Sequence, residues 1–342
     1  MSGTARQAEA ARLLAALARW RAPEIAFWGA AAASLVALRD QALLLNEIAI
    51  LALFALSVDL VLGFAGILTL GQAAFFGVGA YAAGLAATLA TPDPLAGLVI
   101  AALAAGLVGF ATSFLVLRGA DLTRLMVTLG VSLVLGEIAN DLPGITGGAD
   151  GFQGIAMGRL LGAFDFDLAG HVAYAYSLAV LFVLFLLARR IVHSPFGWSL
   201  RAIAGNRLRA TAIGIPADRR LVVIYTIAAA YAGIAGGLLA QTTALVSLDV
   251  FDVHRSANVL LVLVLGGVGW LYGGLIGAVV FDLMQNWLSA LTPQYWQFWI
   301  GLLLVAIVLV GRERIFSLPA RLVATLTRRL FAAGGFAPER PG

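Results

Sequence analysis

The chain contains no cysteine and no lysine in 342 residues. Without cysteine there are no disulfides and no thiolate metal sites. There is no phosphate-cradling loop ending in lysine, so the chain shows no ATPase of its own. A Gly-x-Ser-x-Gly elbow and a His-Glu-x-x-His pair are also missing, and nothing reads as an enzyme site. The three histidines, His171, His193 and His254, are scattered near the ends of apolar blocks and read as interfacial residues, not metal ligands. Charge is scarce. Charged residues make up 12% of the chain and hydrophobic ones 61%, whereas soluble domains carry about 25% charged and about 45–50% apolar residues. These values exclude a soluble domain and specify an all-α, polytopic transmembrane helical bundle.

The basic residues are all arginine, and Lys+Arg outnumber Asp+Glu 22 to 18. They cluster in loops between apolar blocks, where membrane topology accounts for them, so no nucleic-acid partner is implied. The densest cluster is Ser194–Pro216, SPFGWSLRAIAGNRLRATAIGIP, with Arg201, Arg207 and Arg209. Arg189 and Arg190 precede it, and Arg219 and Arg220 follow. Pro195 and Gly197 are expected to break the preceding helix. Ser199 to Ile213 then forms one short helix, stopped by Gly214 and Pro216. A cationic helix cannot sit in hydrocarbon. It is expected along the cytoplasmic face, where a soluble partner can press on it; the plainer alternative is a loop that only sets orientation.

In chain order, residues 1–21 place Arg6, Arg12, Arg19 and Arg21 around Leu13, Leu14, Leu17 and Trp20, an amphipathic helix suited to the inner interface. No cleaved leader is expected. The permease domain runs over 22–311 and a basic cytoplasmic tail over 312–342. Spans are expected at Ile25–Leu38, Ala42–Leu62, from about Gly77, and then at Leu95–Leu117, Leu125–Ala139, Val172–Ala188 and Leu221–Gln241. Gly79 and Ala83, like Ala80 and Gly84, are small residues four apart that let backbones approach closely. An outer loop fills 140–170, and 242–255 returns outside. A single crossing by 256–290 would leave the arginine-rich tail outside. The glycines Gly266, Gly267, Gly269, Gly273, Gly274 and Gly277 resolve this by breaking the stretch into two helices. A final span follows at Trp296–Gly311, giving about ten helices with both termini cytoplasmic.

Polar residues within spans are costly and tend to face a cavity or a partner. Glu47 and Asp59 read as the deepest acids. Glu137, Asn140 and Asp141 share one helix face, as do Asp282, Gln285 and Asn286. Each trio is either helix-end polarity or a polar vestibule for a small solute. Gln72 and Thr69 stand beside a glycine break. The Gln72 amide either contacts a passing solute or satisfies freed backbone groups, the second being the plainer reading. Tyr295, Trp296, Phe298 and Trp299 read as an interfacial aromatic belt.

Five stretches, GFAGILTLGQAAFFGVGAYAAG (63–84), MVTLG (126–130), TGGADG (146–151), the arginine loop (194–216) and LVLGGVGWLYGGLIGAVV (263–280), together resemble the LivM-type permease subunits of branched-chain amino acid ABC importers. The resemblance implies ABC-importer permease architecture in a bacterial cytoplasmic (inner) membrane, paired with a second related permease and surrounded by membrane lipid. It also implies two ATP-binding subunits below and a solute-binding protein above. No cofactor is held by this chain, ATP being bound by the partner subunits. The arginine loop is where the ATPases grip, which assigns coupling to Arg201, Ala202, Arg207, Arg209, Ala210 and Gly214. Departures are Gly205 where many relatives have Glu, Gln72 for a common His, Asp59 for a common Asn, and Glu137 one turn later than the family's acid, whose place is Leu133. The substrate pathway is expected to involve Glu47, Asp59, Gln72, Glu137, Asn140, Asp282 and Gln285. Two other readings stay open: an ion-coupled secondary transporter using Glu47, Asp59 or Glu137, and a passive channel for urea or an amide.

Overall fold

A computed structural model describes residues 22–305, apart from residues 90, 120, 156, 161, 163, 165, 166, 168, 296, 303 and 304. The expected interfacial helix over 1–21, Trp296, the end of the final span and the basic tail lie outside the described residues. Among the described residues, seven helices of 18 to 27 residues are long and apolar enough to cross a membrane. In chain order the helices are α1 (Ala22–Ala37), α2 (Ala42–Leu62), α3 (Gln72–Leu89), α4 (Pro94–Val116), α5 (Asp121–Asn140), the single turn α6 (Pro143–Thr146), α7 (His171–Val192), α8 (Pro195–Gly205), α9 (Arg207–Ala212), α10 (Ala217–Thr243), α11 (Val253–Gly266) and α12 (Leu271–Leu291). α1 and α11 are apolar but shorter. The expected break in 256–290 is present as the turn between α11 and α12, with Gly267 at φ 119° and Gly269 at φ 78°.

Several helices run past the apolar blocks. α5 begins at Asp121, α7 carries Arg189 and Arg190 in its last turn, and α10 begins at Ala217, so that it includes Arg219 and Arg220. Backbone hydrogen bonding does not stop where hydrocarbon stops, so hydropathy marks the buried part of a helix and not its ends. The turn before α4 obeys local rules: Pro94 occupies the first helical turn and the Asp93 side chain accepts from the Leu95 amide at 3.0 Å. A two-residue antiparallel pair, β1 (Phe152–Gln153) with β2 (Leu245–Val246), ties the loop before α7 to the loop after α10.

Residues up to Phe281 form one body. Its centre is α10, which packs most extensively on α3 and α4 and also on α2, while α2 is flanked by α7. This arrangement follows from the small residues of α10. A Cβ on Gly236 would stand 1.9 Å from the Phe76 carbonyl oxygen, and one on Gly79 would stand 2.1 Å from that of Gly233. A Cβ on Gly233 would meet the Ala105 Cβ at 2.3 Å. Lipid supplies no hydrophobic drive between helices, so dispersion at close backbone approach is what holds them. The Gly79 contact is the one the small-residue spacing anticipates. Residues from Asp282 onward form a second, smaller unit. It holds the end of α12 and a helical stretch over 297–302, and Tyr295, Phe298 and Trp299 are exposed on it.

Replacing Gly236 with Val should force α3 and α10 apart. We expect a lower unfolding midpoint in detergent, consistent with an overpacking cost of about 1–3 kcal/mol. Gly29→Ala, where an added Cβ meets nothing within 4 Å, should leave the midpoint unchanged or raise it slightly.

Candidate functional site

The arginine loop is two helices, not one. Ser194 caps α8, its hydroxyl accepting from the Gly197 amide at 3.4 Å, and Pro195 opens the first turn. Pro195 thus starts a helix where the sequence reading has it only end one. Asn206, at φ −163° and ψ 105°, interrupts the chain, and its side chain caps α9 by accepting from the Arg209 amide at 2.9 Å. Gly214, at φ 89°, lies just beyond the end of α9.

α8 is anchored by buried Leu200 and Ile203, and α9 by buried Ala210. A Cβ on Gly197 would stand 2.2 Å from the Val192 carbonyl oxygen, so glycine is required for α8 to fold back against the end of α7. The Arg201 guanidinium is placed between two rings, 4.9 Å from the Trp198 centroid and 5.1 Å from that of Phe64. Arg207 pairs with Asp218 of α10, and Arg220 donates to the Ser199 hydroxyl. Ala202 and Arg209 are exposed. Two residues the sequence reading did not single out stand furthest out: Leu208 is 81% exposed and Ile213 75%. Their only sequence signal is that they are large and apolar inside an arginine run.

A polar cavity of about 220 Å³ opens beside α8, lined among others by Phe64, Arg189, Trp198, Arg201 and Trp270. The buried Arg189 pairs with Glu24 of α1 at 2.5 Å. Two non-helical pieces therefore meet the arginine loop: residues 63–71 between α2 and α3, and the turn between α11 and α12. The first rests on α8 directly, since a Cβ on Gly66 would stand 3.0 Å from that of Ala204. The second piece is held by Asp59, fully buried in the last turn of α2 just before the first piece, whose Oδ1 accepts from the Gly269 amide at 2.7 Å.

Three amides around the start of α3 are taken by hydroxyls. Thr69 accepts from Gly71, Thr128 of α5 from Leu70, and Ser256 of α11 from Ala73. Thr69, Thr128 and Ser256 are each at most 1% exposed. Gln72 is equally buried, yet neither its Nε2 nor its Oε1 has a partner among the described residues. The plainer expectation for Gln72, that it satisfies the freed backbone, is therefore not met. Leaving such a group unpaired costs about 1–3 kcal/mol.

The remaining pathway candidates disperse. Glu47 is exposed on the flank of α2 and is not enclosed by the described residues. Glu137 and Asn140 are exposed at the end of α5. Asp282 and Gln285 lie on the last part of α12, in the second unit, and are partly buried. Asn46, at the start of α2, ties three helices: its amide donates to Thr242 of α10 at 3.1 Å and accepts from Ser177 of α7 at 2.6 Å. No cluster of metal-ligating side chains occurs among the described residues.

Asp59→Ala should strand the Gly269 amide and lower the unfolding midpoint, at a cost of about 1–3 kcal/mol. Asp59→Asn, which keeps an acceptor oxygen, should retain most of the stability, as read by thermal unfolding in detergent.

Residues 42–308 match the family described as the branched-chain amino acid transport system / permease component. The chain is 30% identical over 254 residues to the high-affinity branched-chain amino acid transport system permease protein LivM of Salmonella typhimurium and 29% identical over the same length to that of Escherichia coli. Each match spans 67% of this chain and 59% of the relative. It is also 30% identical over 284 residues to the L-arabinose ABC transporter permease protein AraH of Azospirillum brasilense, across 78% of this chain and 76% of that protein. No solved structure matches the chain. An all-helical, multi-spanning body with a capped arginine loop folded against it, matched to one family over most of its length, makes this chain a member of the branched-chain amino acid transport system permease components.

Proposed function

We propose that the chain is the membrane permease subunit of an ATP-driven importer for branched-chain amino acids in a bacterial inner membrane. On this reading the arginine face is cytoplasmic, as the excess of arginine there favours, and both termini lie on that side. ATP-binding subunits dock on α8 and α9, a second related permease completes the membrane part, and a solute-binding protein delivers from the opposite face.

The observation that carries the reading is the exposure of Leu208 and Ile213 on the arginine loop. Large apolar side chains held out from a cationic surface are costly to leave in water and mark protein contact. Arg201 and Arg209 beside them supply charge that steers an acidic partner surface. The coupling assignment of Arg201, Ala202, Arg207, Arg209, Ala210 and Gly214 divides accordingly. Ala210 and Gly214 shape the loop, Arg207 braces it on α10, and Ala202, Arg201 and Arg209 belong to the outward face. The absence of a nucleotide site in the sequence supports an external source of energy.

The names of the LivM relatives favour a branched-chain amino acid as solute; the name of AraH makes L-arabinose the comparison solute. Ion coupling through Glu47, Asp59 or Glu137 has less support. Glu47 and Glu137 are exposed, and Asp59 is engaged by the Gly269 amide.

In vesicles holding the assembled transporter, leucine uptake should require ATP hydrolysis. Changing Leu208 and Ile213 together to Asp should reduce both co-purification of the ATP-binding subunits and uptake by about tenfold or more, the scale of losing an interface anchor. Uptake driven by a proton or sodium gradient without ATP would refute the proposal.

A further inference from the structure

We propose that Gln72 is the side chain in this permease that grips the carboxylate of the passing amino acid, an inference that rests on the function proposed above. Four observations lead to it. The amide is 1% exposed and has no partner among the described residues. The amides of Leu70, Gly71 and Ala73, which a polar residue there could otherwise serve, are already taken by Thr128, Thr69 and Ser256. Gln72 is the first residue of the 18-residue helix α3, and side chains tilt toward a helix N-terminus, where the backbone dipole favours an anion. Its depth also suits a pathway: Gly71 lies against Thr128, seven residues into α5, which at a 1.5 Å rise places this layer about 10 Å inside the bundle. Non-helical backbone at such depth is tolerated where it is buried in protein or lines a cavity, and transporters hold anionic solute groups at half-buried helix N-termini.

The same segment connects the amide to the arginine loop. Residues 63–71 touch α8 through Phe64 and Gly66 at one end and lead directly into Gln72 at the other. A displacement of α8 by a docked subunit is passed along nine residues of irregular backbone to the amide. In the present state the amide is sealed. In the state that admits solute it is uncovered, and its Nε2 hydrogens donate to the carboxylate oxygens.

The chain's lack of cysteine makes a direct test available. Gln72→Cys introduces a single thiol, to be followed by intact mass of this chain after exposing the assembled transporter in vesicles to a membrane-permeant maleimide. Labelling should be slow at rest, faster during ATP turnover, and slowed again several-fold by saturating leucine but not by arabinose, because leucine seated beside position 72 shields the thiol. Ser113→Cys, buried on α4, should stay unlabelled throughout. A thiol at position 72 that never labels, labels without leucine protection, or is protected by arabinose alone overturns the inference. Should the cysteine variant not assemble, Gln72→Asn keeps the amide but withdraws it by one methylene. It should lower leucine carried per ATP hydrolysed about tenfold, and wild-type coupling in that variant overturns the inference equally. Loss of ATP-dependent leucine uptake in the unmodified transporter would instead overturn the proposed function.

Discussion

Every backbone amide withdrawn from a helix inside the bilayer has to find its partner in protein, because hydrocarbon offers none. Nine residues between α2 and α3 place this demand on the fold, and much of the body is arranged to meet it. Hydroxyls from Thr69, α5 and α11 take the amides of Leu70, Gly71 and Ala73, and Asp59 takes that of Gly269 in the opposing turn. The glycines of α10 serve the same end indirectly: they let α3 and α4 close on it, so that the irregular segment is enclosed by helices and not by lipid.

The arginine loop is set against this interior by a different balance of forces. Leu200, Ile203 and Ala210 bury one side of α8 and α9. The guanidinium groups find partners that keep them out of hydrocarbon: Arg189 with Glu24, Arg207 with Asp218, and Arg201 on two aromatic faces. What remains outward is apolar at its tip and cationic around it. Arginine alone satisfies the topology rule, and the exposed Leu208 and Ile213 are what the loop carries beyond it.

Between loop and interior lies a short mechanical path. Phe64 and Gly66 rest on α8, Asp59 couples their segment to the turn at Gly269, and the segment ends at Gln72. Buried polar groups here fall into two kinds. Asn46 and Asp59 are hydrogen-bonded across helices and hold the bundle. Gln72 is buried at similar depth without a partner among the described residues, a configuration that suits a group whose partner arrives from outside.

The sequence alone determined that the chain is a helical membrane protein, roughly where the long helices of the described residues lie, that a glycine break divides 256–290, and which loop carries the arginines. These are legible because hydropathy and charge are local and nearly additive along the chain. The division of the arginine loop at Asn206 was also local in origin, but the competing glycine and proline signals around it read equally well as a single helix. Only the tertiary structure decided which polar residues are satisfied and by what. The Gly269 amide that Asp59 accepts from lies 210 residues away, hydroxyls from α5 and α11 reach the amides beside Gln72, and Glu47 stays exposed because no described helix covers its face. Hydrogen-bond satisfaction depends on which distant elements converge, and no window along the sequence carries that information.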